Sequence, residues 1–230
     1  MNLSIDTESL LAVYSTEMWL GLLALSLILL DLVAGKGRLT GPADLVRTVA
    51  IAGLAGILVQ TFLIEAVPES GWGSLDAFSI YFKRFFVGTA LLTLVITQPY
   101  EARFEAGRGE MSALVVLTSL GMCMLASVND FVSMFVALEL VTITLFMMAA
   151  WRPGLPRSIE AGMKFVIIGA VAAAFMVYGT AFVYGATGSL DFGAVSAALQ
   201  GQTEMPAAHK IGLLLVMVGL GITVCAERFH

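Results

Sequence analysis

An all-α bundle of about seven transmembrane helices is the fold that this sequence predicts. Three observations lead to it. Hydrophobic residues make up 59% of the chain and charged residues 13%, with a mean hydropathy of +0.93; soluble domains average roughly 45–50% apolar and 25% charged. The apolar residues fall in unbroken runs of the length a helix needs to cross a bilayer, about 20 residues, whereas a membrane β-barrel would alternate apolar and polar positions. Glycine, proline and charge collect in the short connections between the runs. The net charge of −5 is spread over those connections, so no nucleic-acid surface is implied.

The runs fall at 17–34, 45–64, 79–98, 111–128, 131–150, 161–184 and 208–225. The first follows Asp6, Glu8 and Glu17, where a secretory leader would carry positive charge, so it reads as a retained span. Gly35-Lys36-Gly37-Arg38 with Gly41-Pro42 forms the first loop, and its glycines lack phosphate-loop spacing. Pro68 to Gly73 is a turn-rich connection, and Pro99 closes the third span. The fourth and fifth spans meet at Asn129-Asp130; Asp130, like Asp31 near the end of the first span, reads as a boundary residue. Pro153 and Pro156 separate the fifth span from the sixth. Inside the sixth, Gly169, Ala170, Ala172, Ala173, Ala174 and Gly179 suit close helix packing. The connection from Gly185 to Pro206 has room for a short amphipathic helix around 191–200. Cys123 and Cys225 lie inside apolar runs and read as buried thiols; two cysteines make no metal or disulfide framework.

Loop charge alternates. Lys36, Arg38 and Arg47 sit in the first loop, Arg103 and Arg108 in the third, Arg152 and Arg157 in the fifth. The N-terminus and the second and sixth loops carry Asp6, Glu8, Glu65, Glu69, Asp76, Asp191 and Glu204. The positive-inside rule then puts the odd loops in the cytoplasm and the N-terminus outside. No loop is long enough for a soluble domain. The chain has no dinucleotide fingerprint, Walker motif, catalytic Ser/His/Asp set, haem pair or iron–sulfur cysteine pattern. Its chemistry is therefore ion or proton movement, or belongs to a partner.

Glu139 is the leading candidate for that chemistry. It sits at the middle of FVSMFVALELVTITLFMMAA, where an ionised side chain costs about 2.5–3.5 kcal/mol on insertion scales. Its helical neighbours are Phe135, Val136, Thr142 and Ile143. Apolar surroundings favour the neutral acid and a nearby cation favours the charged one, so a group poised between the two can load and unload a proton. A neutral, hydrogen-bonded carboxyl that pins helix packing is the competing reading. Lys164 is second. It either snorkels to the interface beside Glu160, one helical turn earlier, or faces inward as a cation coupled to Glu139. Lys83 and Arg84 open the third span and read as interfacial anchors.

The segment RGEMSALVVLTSLGMCMLASVNDFVSMFVALEL resembles the fourth and fifth helices of subunit N of the proton-pumping NADH–quinone oxidoreductase, respiratory complex I, an antiporter-like membrane subunit family. SIEAGMKFVIIGAVAAAFMVYGTAFVYGATGSL is similar to that family's sixth helix, and KIGLLLVMVGLG to the start of its seventh. The resemblance implies a division into residues 1–110, helices 1–3, and residues 111–230, helices 4–7 of a proton-translocation repeat. It places Glu139 and Lys164 as members of a proton relay. Thr223 stands where the family carries a buried lysine, and Arg228 where it carries a proline; Phe229 and His230 fit. The family's second inverted repeat has no counterpart in these 230 residues, so the expectation is an N-terminal half. By resemblance the chain binds no cofactor itself, NADH and quinone being used by the whole complex. Its partners would be other membrane subunits of complex I, the lipid bilayer and protons, in the bacterial inner membrane with a periplasmic N-terminus. A cation/proton antiporter subunit and a non-pumping structural remnant are the two rival functions.

Overall fold

The structure is a computed structural model that describes residues 11, 13–35, 42–64, 66–70, 73–101, 108–152, 154–200 and 207–226. Among them are eight helices: α1 (Ser15–Gly35), α2 (Pro42–Leu63), α3 (Ala77–Glu101), α4 (Arg108–Leu125), α5 (Phe131–Ala149), α6 (Pro156–Thr187), α7 (Phe192–Gln200) and α8 (Ala207–Ala226). All but α4 and the short α7 are long and apolar enough to cross a membrane by length and composition; α4 contributes a shorter apolar helix, Gly109–Leu125. The all-α bundle read from the sequence is thus the fold, and α7 is the short helix expected in the last long connection. Helices are the natural solution in lipid, because each closes its backbone hydrogen bonds internally. Leu22, Leu25, Leu29 and Leu32 of α1 and Met163, Ile167, Val171 and Tyr178 of α6 are exposed, an outward apolar surface that soluble domains rarely show.

The described contacts divide the chain at Ser127/Val128. That division places α4 with the first three helices. In the first unit α1 packs on α4 and α2, and α3 packs on α2 and α4. Each helix supplies one helical stripe: Leu20, Ala24 and Leu27 from α1; Val46, Ala50 and Leu54 from α2; Val87, Ala90 and Leu94 from α3. The short α4 is buried on several sides at Ser112, Ala113, Leu114, Val115 and Val116. The turn-rich connection after α2 is a two-stranded antiparallel hairpin, β1 (Val67–Ser70) and β2 (Gly73–Leu75), in a register that pairs Val67 with Leu75. Asp76 then starts α3, its Oδ1 accepting the Ser79 N–H at 2.8 Å. α3 runs to Glu101, two residues beyond the proline expected to close it.

In the second unit α6 is the centre, lying along α8 and packing on α5. Asp130 caps α5, accepting the amides of Val132 at 2.9 Å and Ser133 at 2.8 Å, so its reading as a boundary residue holds. Pro156 opens α6 at its first turn, where the missing N–H leaves no bond unmade. Phe131 donates its amide to Leu190 O and Phe192 donates to Asn129 O, which ties the start of α5 to the start of α7. Phe131, Val183, Val195 and Val216 form the core at that end.

The α6–α8 seam is made of glycine. A Cβ on Gly179 would lie 2.6 Å from Gly212 O and 2.7 Å from Val216 N. One on Gly219 would strike Met176 and lie 2.8 Å from Ala172 O. Lipid tails are as apolar as leucine, so close backbone contact supplies what burial supplies in water. Only part of the small-residue run serves here: Ala172 and Gly179 are buried, while Ala170 and Ala174 are exposed. Cys123 is buried as expected, but Cys225 is exposed on the last turn of α8, which corrects its reading as a buried thiol.

Replacing Gly179 by Val should therefore push α8 off α6 and destabilise the second unit by about 1–3 kcal/mol. Thermal unfolding in lipid nanodiscs should show a lowered midpoint for Gly179→Val. It should be equal or slightly raised for Gly221→Ala, whose added methyl meets nothing within 4 Å and favours the helix.

Candidate functional site

Glu139 lies near the midpoint of α5 and is half-buried. It sits at an edge of the helix. On one side are Thr142, which is buried, and Phe146, whose ring meets Phe165 of α6 at 4.8 Å in an edge-to-face contact. On the other side Val136 and Ile143 are exposed. The α6 backbone comes close to this half of α5 because Gly162 and Gly169 leave room for Ala150 and Phe146. Thr142 turns its hydroxyl onto the carbonyls of Leu138 and Glu139, both at 3.1 Å, so it satisfies its own helix and not the carboxyl. Among the described residues no side chain bonds the Glu139 carboxylate.

Lys164 is exposed, at 59%, and its Nζ lies 2.6 Å from Glu160 Oε1 one turn away. It stands off the buried stripe of Gly162, Phe165, Ala172, Met176, Gly179 and Val183. Of the two arrangements the sequence allowed, the ion pair with Glu160 is the one formed, and the described residues do not join Lys164 to Glu139. Thr223 shares the α6-facing side of α8 with Gly212, Val216 and Gly219. Its hydroxyl bonds Gly219 O at 3.0 Å, leaving no acid or base at that position.

A second charged site was missed by sequence reasoning, and it corrects the reading of Lys83 as an interfacial anchor. Lys83 is only 1% exposed, and its Nζ meets Glu17 Oε1 at 2.8 Å and Val13 O at 2.9 Å; Glu17 is 6% exposed. Arg84 donates from Nε and Nη2 to Thr61 O, at 3.1 and 3.0 Å, and lies over the Phe62 ring. Helical periodicity could have found Lys83. It falls on the face of Ile80, Val87, Ala90 and Leu94, the buried stripe of α3. Glu17 likewise heads the stripe of Leu20, Ala24 and Leu27. Removing one member of such a buried pair costs about 3–5 kcal/mol, because it strands the other charge. His209, also passed over, is fully buried at the head of α8, and neither ring nitrogen has a partner among the described residues.

Residues 128–230 match the family model described as NADH:quinone oxidoreductase/Mrp antiporter, transmembrane. That span coincides with the second structural unit. The chain is 33% identical over 222 residues to NADH-quinone oxidoreductase subunit N of Desulfitobacterium hafniense, covering 96% of this chain and 44% of that one. It is 37% identical over 221 residues to the same subunit of Chlorobium chlorochromatii, covering 93% and 42%. A chain of respiratory complex I from Thermus thermophilus, solved with bound aureothin, superposes with a TM-score of 0.70 at 31% identity, over 90% of this chain and 43% of that one. The archaeal membrane-bound sulfane sulfur reductase has a chain of the same fold, with a TM-score of 0.72 at 19% identity. The chain spans less than half the length of the relatives it matches. By sequence along nearly all its residues and by fold, it matches the N-terminal half of the NADH-quinone oxidoreductase subunit N family.

Proposed function

We propose that the chain acts as a membrane-arm subunit of a proton-translocating NADH–quinone oxidoreductase, with Glu139 as the group that loads and releases the proton. The observation that carries this reading is a half-buried carboxyl at the midpoint of an apolar helix, bonded by no side chain among the described residues. An apolar residue would sit there at lower cost, so the carboxyl is kept for what it exchanges. The relatives named above support the assignment, since each curated one is called subunit N of that oxidoreductase.

Lys164 is the relay partner in this reading. Glu160 holds its ammonium in the state seen here. Releasing Lys164 toward the bundle and recapturing it would give the carboxyl a cation that comes and goes. The exposed stripe of Val132, Val136, Ile143 and Met147 beside Glu139 then faces other membrane subunits of the complex. Electron transfer, NADH and quinone belong to the rest of the assembly. The alternating loop charges support an N-terminus on the periplasmic side of the inner membrane. The antiporter name in the matched family description favours one other reading, a cation/proton antiporter subunit, which would show sodium dependence without NADH or quinone.

Glu139→Gln in the assembled complex should leave subunit content intact and abolish the share of NADH-driven proton uptake that this subunit carries, read as acidification of inverted vesicles. Full uptake in that variant, with assembly intact, overturns the role of Glu139. Lys164→Ala should lower the protons moved per electron with normal assembly. If both assembly and uptake match the wild type, Lys164 is an interfacial anchor and not part of the relay.

A further inference from the structure

We propose that Glu17 and Lys83 form a second proton-exchange site, inside the first unit and independent of Glu139. Glu17 belongs to α1 and Lys83 to α3, and their side chains meet at 2.8 Å away from solvent. A buried ion pair that serves only as a bridge needs its remaining lone pairs satisfied, because desolvation otherwise exceeds the attraction. This one is satisfied on one side only. Glu17 Oε1 takes Lys83 Nζ and, at 3.4 Å, the Ser127 hydroxyl. Glu17 Oε2 is buried and has no hydrogen-bond partner among the described residues, and the same holds for the hydroxyl of Thr16, the preceding residue of α1. Unspent hydrogen-bonding capacity next to a carboxylate fits a small polar guest, namely water, and the proton that water carries.

The location gives that guest a short route. Glu17 and Lys83 lie within two turns of the first residues of α1 and α3, Ser15 and Ala77. α2 runs back between the two helices, so both starts are at the same end of the unit. A cap covers that end: Val13, Leu75 and Ile80 pack together with Tyr14 and Ile64, and the hairpin is tied down by Ser74 N–H to Ser127 O at 3.1 Å. Among the described residues, the ionisable groups that face Glu17 are Lys83 from α3 and the Cys123 thiol from α4, which lies within electrostatic reach of both charges. Arg84 turns away to Thr61 O of α2, and Asp76 is engaged at the start of α3.

The exchange balances simply. A proton arriving on Oε2 forms one O–H bond and turns the carboxylate into a neutral acid. Lys83 keeps its ammonium proton and its bond to Val13 O, and the pair goes from net charge zero to plus one. Loss of the Oε2 proton to water reverses the step.

Infrared difference spectra of the full chain in lipid nanodiscs test this, recorded across a pH titration in H2O and D2O. The wild type should show a carboxylic acid C=O band that grows as pH falls and moves in D2O. The component owed to Glu17 should be lost in Glu17→Gln and displaced in Glu17→Asp, while the bands of the other carboxyls, Glu139 included, stay in place and helix content is unchanged by circular dichroism. Wild-type and Glu17→Gln spectra that coincide throughout the range in which the chain stays helical overturn the proposal and leave a fixed bridge. If the Gln variant loses its helices, the Asp variant decides: a displaced band supports exchange at Glu17, and an unmoved one overturns it. Normal proton uptake in Glu139→Gln would not bear on this result, so the two sites fail separately.

Discussion

A charge inside a bilayer must have a partner, water, or a reason to be neutral, and the placement of each charged side chain here follows from that constraint. Glu17 and Lys83 satisfy it by meeting each other. Arg84 satisfies it with a helix carbonyl and an aromatic face. Glu160 and Lys164 satisfy it at the exposed start of α6, a helix of 32 residues, about 48 Å long and therefore longer than the roughly 30 Å hydrocarbon layer. Glu139 is the exception. It meets the requirement with no side-chain bond among the described residues, at the depth where the requirement is most severe. That contrast is what the proposed role of Glu139 rests on.

The packing of the second unit explains why the site can be poised without collapsing. Gly162 and Gly169 let α5 rest closely on α6, and Gly179, Gly212 and Gly219 let α6 rest on α8. On the α8 side these are backbone-to-backbone approaches, and on the α5 side the glycines receive Ala150 and the Phe146 ring. The α6 surface is apolar where it faces Phe146 and Thr142, and it leaves the carboxyl on the open edge. The pattern of loop and cap bonds at the other end, Asp130 on α5 and Asp191 on α7, sets the start of each helix against the same short segment.

Much of the fold was legible because helical spans are a local property. Unbroken apolar runs, Pro156 and Asp130 place the helices to within a few residues. The short helix at 192–200 could be read from its amphipathic pattern. What escaped depends on which residues share a face and which chain segments meet. Lys83 beside Arg84 looks like an interfacial pair until its register with Val87 and Leu94 is followed inward. Its partner Glu17 looks like an acidic flank until α1 is docked. The hairpin at 67–75 was hidden in a stretch rich in turn residues, since two very short strands carry little pattern. Glu139 could be found from depth alone. The pairing of Lys164 with Glu160 is local and was one of the two readings, but which of the two arrangements forms depends on how α6 packs on α5.

The most direct measurement is a cryo-electron microscopy map of the assembled complex in a lipid environment, refined far enough to place the side chain of Glu139. The carboxyl should face protein or ordered water between helices, with acyl chains confined to the far side of α5. A carboxyl directed at acyl tails, or lying beyond the headgroups in bulk solvent, would contradict the reading of this residue as the exchangeable acid.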